Sequence, residues 1–380
     1  MKTVIVEGWR FLSHSYAVVN QFQCLEMLKR PDLKLYHRDV PYFSNRWLPT
    51  PGLLPPDAEA AIASIPPPPP DVKADALLRI GYPHFFDAAP EATRTFTWVT
   101  SEFRRVLKSA IGAGLEPWQV LPEAKSTVIA CSEWAAAGFL NGGLPRSRLA
   151  IVPCGVDTSI FKPATPDERA ALRKVLGWEN WFVALNISSM TLNKGPDFML
   201  AATARLAPSH PTLVLSAKGS DALYQSGHYA QSFVARLTPD QRAALAGRVK
   251  YQGDTFSTTD IVKMYQAADV YISPYRAEGF NLPVLEAAAC GLPVICTRGG
   301  STDDFVDDSW CLRIDSKIAE LSGIGTTLEP NLDHFTALLE RVITDENWRR
   351  SAAQAGPAWV RDRFTWKHTV DKLLAVMLPD

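Results

Sequence analysis

At 380 residues and 47% apolar composition, the chain is long for one core and suited to two domains. Its 39 Lys and Arg against 40 Asp and Glu give a net charge of −1. That excludes the basic footprint of a nucleic-acid binder and any global attraction to anionic lipid, leaving only a local patch open. No apolar run approaches the length of a membrane span, the seven His form no His-Glu-x-x-His, and the six Cys are scattered without Cys-x2-Cys. Free thiols in a reducing cytoplasm are the plain reading of those cysteines.

Thr3 to Glu7 predicts a short buried strand. Gly8 follows, and a helix begins near Tyr16, with Val18, Val19, Phe22, Leu25 and Leu28 at helical spacing. Strand, glycine loop and helix open a Rossmann-like unit, without the Gly-x-Gly-x-x-Gly of a dinucleotide site. Leu33 to Val40 reads as a second strand. Many of the 29 prolines then crowd between Pro41 and Pro70, ending in the run Pro66 to Pro70. Such a run is extended polyproline II, and the stretch reads as a surface excursion of the first domain, a spacer rather than a ligand for a proline-binding partner. Ala76 to Gly81 resumes as a strand and places His84 just beyond its end. Ligands bind at the C-terminal ends of strands in open α/β sheets, so His84 is an acceptor-side candidate, with an ordinary loop histidine as the competing reading. Thr93 to Thr100 is another strand, followed by Ser101-Glu102. Ser126 to Cys131 is the next, and Ser132 is the N-cap of the helix after it. Leu149 to Pro163 is a strand and a turn-rich connector, which places a domain boundary near Lys162.

Trp181 to Ser188 opens the second domain. The loop Met190-Thr-Leu-Asn-Lys-Gly-Pro-Asp leads into a helix carrying Phe198, Leu200, Ala201 and Leu206. Lys194, before a glycine in a strand-to-helix loop, can reach phosphate oxygens as a point charge; a plain surface lysine is the competing reading. Thr212 to Ala217 is a strand ending at Lys218-Gly219-Ser220. Val249 to Gly253 is another, ending at Asp254, and Ser257-Thr-Thr-Asp260 is a capping box before the helix through Tyr265.

The densest signal runs from Asp269 to Cys296. Asp269-Val-Tyr-Ile-Ser is a buried strand. Glu278 and Gly279 fall in a loop. Pro283 suits a first helical turn, Leu285, Ala288 and Ala289 face a sheet, Gly291 ends the helix, and Pro293 to Cys296 is the next strand. Backbone N–H groups near Phe280 to Val284 then point out of a helix N-terminus, a place for phosphate. Glu286 lies one turn in. A nucleotide diphosphate sugar needs both tools, N–H groups for the diphosphate and carboxylates for hydroxyls. Either Glu alone reads more plainly as a first-turn or solvated acid, since acids in first turns are common. Gly299-Gly300-Ser301 is a loop, Trp310 to Ile314 a last strand, and Leu332 to Ile343, Trp348 to Phe364 and Trp366 to Met377 are amphipathic helices.

Glu278 and Glu286 are spaced Glu-x7-Glu within Glu-Gly-Phe-Asn-Leu-Pro-Val-Leu-Glu-Ala. This text resembles the signature of retaining glycosyltransferases of the GT-B fold, glycosyltransferase family 4 (group 1), which usually has Gly where Asn281 stands. The Gly-Val-Asp and Phe-x-Pro of the connector, Lys194-Gly195, and Phe364-Thr-Trp366 resemble the same family. The resemblance is good from about Val128 to the C-terminus and weak over Pro41 to Gly114.

The resemblance implies an α/β protein with two Rossmann-like domains facing each other across a cleft. Residues 1–162 would form the acceptor side, 163–363 the nucleotide-sugar side, and 364–380 a helix crossing back to the first domain. It implies Lys194 and Glu278 as catalytic residues. Gly279, Phe280, Asn281, Leu282, Glu286, Gly8, Ser189 and Asp254 would bind the donor. The family's first loop faces the cleft, which makes His14 an acceptor-side candidate beside His84, Thr100 and Glu102; a helix-entry cap is the competing reading for His14. Two departures stand out. Many members carry a His near the end of the Thr93 to Thr100 strand, where this chain has Val-Thr-Ser-Glu, and an Arg shortly before Lys-Gly, where Ser189 or a neighbour stands.

The implied reaction moves a sugar from a nucleotide diphosphate sugar to an acceptor hydroxyl with retained configuration. Lys194 and the helix N-terminus would stabilise the departing phosphate, Glu278 would orient the sugar and Glu286 would hold the ribose. With no Asp-x-Asp in the chain, no metal and no other cofactor is expected. The acceptor would be a saccharide, a lipid-linked glycan or a small molecule, with a peripheral membrane contact left open and no nucleic acid. The rival readings are a nucleotide-sugar epimerase or phosphorylase on a similar fold, and a non-catalytic sugar- or nucleotide-binding protein.

Overall fold

The structure, a computed structural model, describes residues 1–112 and 114–379. Its contacts divide the chain into two units, one of Met1–Asp157, Ser322–Gly325 and Phe364–Asp380, the other of Thr158–Leu321 and Thr326–Arg363. Each is built on a six-stranded parallel sheet with helices, so the class is α/β.

In the first unit the order is β1 (Lys2–Gly8), α1 (Ser15–Met27), β2 (Leu33–Asp39), α2 (Pro56–Ala63), β3 (Ala74–Ile80), β4 (Ala92–Val99), α3 (Pro117–Val120), β5 (Thr127–Ala130), α4 (Glu133–Asn141) and β6 (Leu149–Ile151). The strands lie in the order β2-β1-β3-β4-β5-β6. Val4, Ile5 and Val6 of β1 are fully buried, as expected for a central parallel strand covered on both faces. The order reverses between β1 and β3, so the loops after these two strands leave a crevice at the sheet's ligand end. The proline-rich excursion is more structured than its composition suggests. It contains α2, entered by Pro55 and Pro56 where a missing N–H is harmless, and it buries Leu53, Leu54, Ile62 and Ile65. The Pro66 carbonyl accepts from His37 N–H at 3.0 Å, occupying part of the edge of β2.

The second unit runs α5 (Pro166–Leu176), β7 (Phe182–Ile187), α6 (Pro196–Leu206), β8 (Leu213–Lys218), α7 (Asp221–Tyr224), α8 (Ser226–Ala235), α9 (Pro239–Leu245), β9 (Val249–Gln252), α10 (Thr258–Ala267), β10 (Val270–Ser273), α11 (Leu282–Ala289), β11 (Val294–Thr297), β12 (Cys311–Ile314), β13 (Ser316–Leu321), β14 (Gly325–Pro330), α12 (Leu332–Thr344) and α13 (Glu346–Arg363). Sheet order is β12-β11-β10-β7-β8-β9, with β13 and β14 as a separate two-stranded pair that the sequence reading lacks. Here the winding reverses between β7 and β10. Their C-terminal loops are the two that carry Lys194 and Glu278.

The last helix, α14 (Trp366–Met377), belongs to the first unit. Val156 N–H donates to the Phe364 carbonyl at 2.8 Å, Thr369 Oγ1 donates to the Pro153 carbonyl, and Trp366 stacks on Phe22 of α1 with rings 5.7 Å apart. These bonds hold the connector in the first unit as far as Asp157, earlier than the boundary expected near Lys162. Beyond it, the Lys162 carbonyl accepts from Gln266 in α10 and Pro163 packs at Gly291, contacts of the second unit.

Candidate functional site

The reversal between β7 and β10 brings two loops side by side, and the sequence pins them together. The Asn193 carbonyl accepts from the backbone N–H groups of Arg276 and Ala277 at 2.7 and 3.2 Å, and its side-chain amide donates to the Ala277 carbonyl. The Arg276 guanidinium grips Asp197 at the start of α6 with two bonds of 2.8 and 2.7 Å, donates to the Leu192 carbonyl and to Glu329, and lies over the Phe198 ring. Gly195 has φ 72°, and a Cβ there would sit 2.0 Å from the Pro274 carbonyl oxygen. Only glycine satisfies both conditions, which explains the Lys-Gly pair structurally.

These fastenings set the two charged groups against each other. Lys194 Nζ lies 2.9 Å from Glu278 Oε2, each side chain 13% exposed. Around the pair stand two helix starts without a side-chain cap, a feature that α2, α7 and α8 share. The helices α5, α9, α10, α12 and α14 are capped by the side chains of Thr165, Thr238, Ser257, Asn331 and Thr365. Neither α6, which begins after Gly195, nor α11, which begins after Asn281, has a side-chain cap. First-turn amides without a cap carry partial positive charge toward any anion placed there. Asn281 is decisive for α11. It sits in the left-handed region with φ 78°, where Asn is the usual substitute for Gly, and its amide donates to Ser273 Oγ at 2.9 Å instead of capping the helix. The departure from the family text is thus accommodated by backbone conformation.

Glu286 lies one turn into α11 and accepts from Tyr265 Oη at 2.9 Å. Burial pushes its carboxyl up to about 7, with the Tyr265 hydroxyl opposing the rise. A carboxyl so poised gains most from a ligand hydroxyl that donates to its ionised form.

The other sequence candidates divide. Phe280 is buried and stacked on Phe305 with rings 4.7 Å apart, so only its backbone can serve a ligand. Gly279 is buried and Leu282 half-buried at the α11 start, while Ser189 Oγ bonds Thr191 Oγ1 at 2.8 Å and brings no charge. Asp254 is exposed beyond β9. In the first unit, a Cβ on Gly8 would lie 2.7 Å from the Ile80 carbonyl, so its smallness serves packing of β1 on β3. His14 caps α1 by accepting from Tyr16 N–H at 3.1 Å, and burial lowers its pKa to about 4. His84 is enclosed by Tyr16, Tyr82, Phe86 and Phe139, and burial lowers it to about 4 as well. This enclosure sets it apart from an open loop histidine. Thr100 Oγ1 meets the Cys131 thiol, and the Glu102 carbonyl accepts from Trp134 Nε1.

Sequence reasoning passed over Asn193, Arg276 and Tyr265, and took Lys218 only as a strand end on the nucleotide side of the resembling fold, with Gly253 to Thr255 as the stretch that touches the base. Arg276 stands inside the quoted signature, but its partner Asp197 is 79 residues away and no local pattern announces it. Among the described residues, no three His, Cys, Asp or Glu side chains gather as a metal site, and no helix is long and apolar enough to cross a membrane.

Residues 182–322 match the family model described as glycosyl transferases group 1. A GDP-mannose-dependent monoacylated alpha-(1-6)-phosphatidylinositol monomannoside mannosyltransferase of Corynebacterium glutamicum is 29% identical over 314 residues, covering 77% of this chain and 75% of the relative. A D-inositol 3-phosphate glycosyltransferase of Thermobifida fusca is 30% identical over 256 residues, covering 65% of this chain and 54% of that one. Among solved structures, Anabaena HepE in complex with UDP and glucose superposes over all of both chains with a TM-score of 0.72 at 14% identity, a likeness of fold.

Proposed function

We propose, for a chain that carries a group 1 glycosyltransferase domain and has the GT-B fold, that it moves a sugar from a nucleotide diphosphate sugar to an acceptor hydroxyl with retained configuration and without a metal on the diphosphate. The observation that carries this reading is the Lys194–Glu278 pair set between the uncapped starts of α6 and α11. An ammonium and two helix ends supply positive charge where a leaving phosphate becomes more negative, which is electrostatic preorganisation. The arrival of a diphosphate gives Lys194 a second anionic partner. Glu278 is then released to accept from hydroxyls of the transferred sugar. Glu286 takes the ribose hydroxyls.

In the step itself, the bond from the anomeric carbon to the phosphate oxygen breaks and its electron pair stays on that oxygen. The acceptor oxygen bonds the anomeric carbon on the same face. Its proton passes to the departing phosphate, so no enzyme base is needed and the buried, ring-enclosed His84 is not asked to act as one. The named relatives act on inositol lipids and inositol phosphate. By analogy we place the acceptor among hydroxyl compounds of that kind, soluble or lipid-borne, with the enzyme in a reducing cytoplasm and in peripheral contact with a membrane when the acceptor is lipid.

A second reading, a binding protein without turnover, draws on the Val-Thr-Ser-Glu text at Val99 to Glu102 and on Ser189 or a neighbour, where the family has its His and Arg. Incubation with labelled GDP-mannose and UDP-glucose, with and without inositol-type acceptors and with excess EDTA, separates the readings. Transfer with an α-anomeric product in EDTA supports the proposal. Epimerised donor, phosphorolysis, binding without turnover, or activity lost to EDTA and restored by Mg²⁺ would each replace it.

A further inference from the structure

Lys218 ends β8, and its side chain is almost wholly buried, 4% of the residue being exposed. Its ammonium donates to the Gly219 carbonyl and lies 4.8 Å from the centre of the Phe256 ring. Among the described residues no carboxylate forms an ion pair with it. An ammonium has three donors, and one is in use. A buried lysine so thinly partnered is costly, and two directions remain for a ligand.

Its surroundings supply the opposite function. Lys218 and Gln252 are register partners on β8 and β9, so their side chains share one face of the sheet. Gln252 Oε1 is buried and accepts no hydrogen bond, and Ser216 Oγ and Ser220 Oγ are likewise unpartnered. Asp254 lies two residues beyond Gln252, close enough that its charge acts on Lys218; burial nonetheless lowers the lysine to about 8. Asp221 acts on it too, but its carboxylate is already engaged by Tyr251 Oη and Gly227 N–H. The ligand end of β8 and β9 therefore presents a donor, unpaired acceptors and an aromatic face together.

The place is also right. The strands β10, β7, β8 and β9 are consecutive neighbours. At about 4.8 Å per strand, two spacings carry a ligand roughly 10 Å from the Lys194 loops to this cluster. That is the reach of a nucleoside diphosphate from phosphate to base.

We propose that this cluster reads guanine, and that the donor is a guanosine diphosphate sugar. The inference rests on the donor reading above and adds the base to it. Guanine's pairing edge carries a carbonyl, O6, followed by two donors, N1–H and N2–H₂. Lys218 donates to O6. Gln252 Oε1 and the Asp254 carboxylate accept from N1–H and N2–H₂, and Phe256 offers a ring face. Uracil would turn its second carbonyl toward the acceptors. Adenine and cytosine would turn an amino group toward the ammonium. Sites built from buried polar groups reject such mismatches strongly, because the groups are left unpaired.

The test is calorimetric titration of GDP, UDP, ADP and CDP into the full chain and into Lys218→Met and Asp254→Asn. The parent should bind GDP at least about tenfold tighter than UDP, with ADP and CDP weaker still. Each variant should lose roughly tenfold in GDP affinity and narrow the GDP-to-UDP ratio, the effect of one charge-assisted bond. Lys218→Met keeps the apolar stem, and melting curves confirm its fold; Asp254→Asn is a surface change that tests the same ratio independently. UDP or ADP binding as tightly as GDP overturns the inference, as does a ratio unmoved in both variants. Equal binding of all four overturns the base assignment alone. Binding of none overturns the donor reading and this inference with it.

Discussion

The strand-end loops of the two sheets are made of different material. In the second unit, the crevice between β7 and β10 is held by Asn193 and Arg276, and its charged pair and uncapped helix starts keep polar capacity for a ligand. In the first unit, the crevice between β1 and β3 is filled with rings. Trp9 contacts His14, Tyr16, Tyr42 and Trp47 with centroids 5.2 to 6.3 Å apart, and α1 is capped by His14. His14 and Asn20 are spent on the fold there, whereas both ring nitrogens of the buried His84 make no hydrogen bond among the described residues, and Phe43 at the edge stays 55% exposed. Two six-stranded parallel sheets, wound in different strand orders, thus carry a charged pair at one reversal and packed rings at the other.

The sharpest way to break this contrast is Lys194→Ala. We expect turnover to fall by on the order of 10²-fold at saturating donor. The change also leaves Glu278 without its ammonium, so the melting temperature should drop. Adding Glu278→Ala should restore the melting temperature without restoring turnover, and recovery of both would reduce the pair to scaffolding.

Glu286→Gln should act next most strongly, and in two directions. Nucleotide diphosphate affinity should fall by roughly tenfold by titration, the cost of a charged hydrogen bond. Stability moves the other way. With its folded pKa raised to about 7 from 4.5, Glu286 in the folded state keeps a proton that the unfolded chain has lost between those values. Its contribution therefore declines as pH rises from about 4.5 to 7, and the penalty is fully present above 7. The variant should melt higher than the parent at pH 8 and equally at pH 4. Over the same range, the parent's nucleotide affinity should climb with pH as the carboxylate forms, and the variant's should stay flat.

The smallest effect is assigned to the first unit. His14→Ala removes a helix cap and should cost about 1 kcal/mol of stability, read from denaturant melts, with nucleotide affinity unchanged. A large loss of nucleotide affinity would bring that loop into the donor site and erase the contrast.

Much of the fold was legible where its signals are local. The helix at Trp366–Met377 agrees in both bounds, and Pro283 falls in the first turn of α11 as its ring chemistry requires. The pairing of Lys194 with Glu278 was not legible, since it depends on the reversal in strand order between β7 and β10. Arg276 and Tyr265 were missed for the same reason: their partners are distant in sequence. In the proline-rich stretch, composition hid α2, because prolines at a helix start do not stop it. The pair β13 and β14 was hidden by weak patterning, β13 being exposed along most of its length. His84 reads as a loop histidine until rings from Tyr16 and Phe139 close over it.

The central claim, that the second unit's crevice stabilises a leaving phosphate while Glu278 serves the sugar, is tested most directly by Glu278→Gln. Calorimetric titration of the nucleotide diphosphate should be run beside turnover. A sugar contact is absent from the free nucleotide, and loss of the carboxylate removes an anion that competes with phosphate for Lys194, so affinity should hold or rise while turnover falls. A Glu278→Gln enzyme as fast as the parent, or one that loses nucleotide affinity as Glu286→Gln does, would contradict the account.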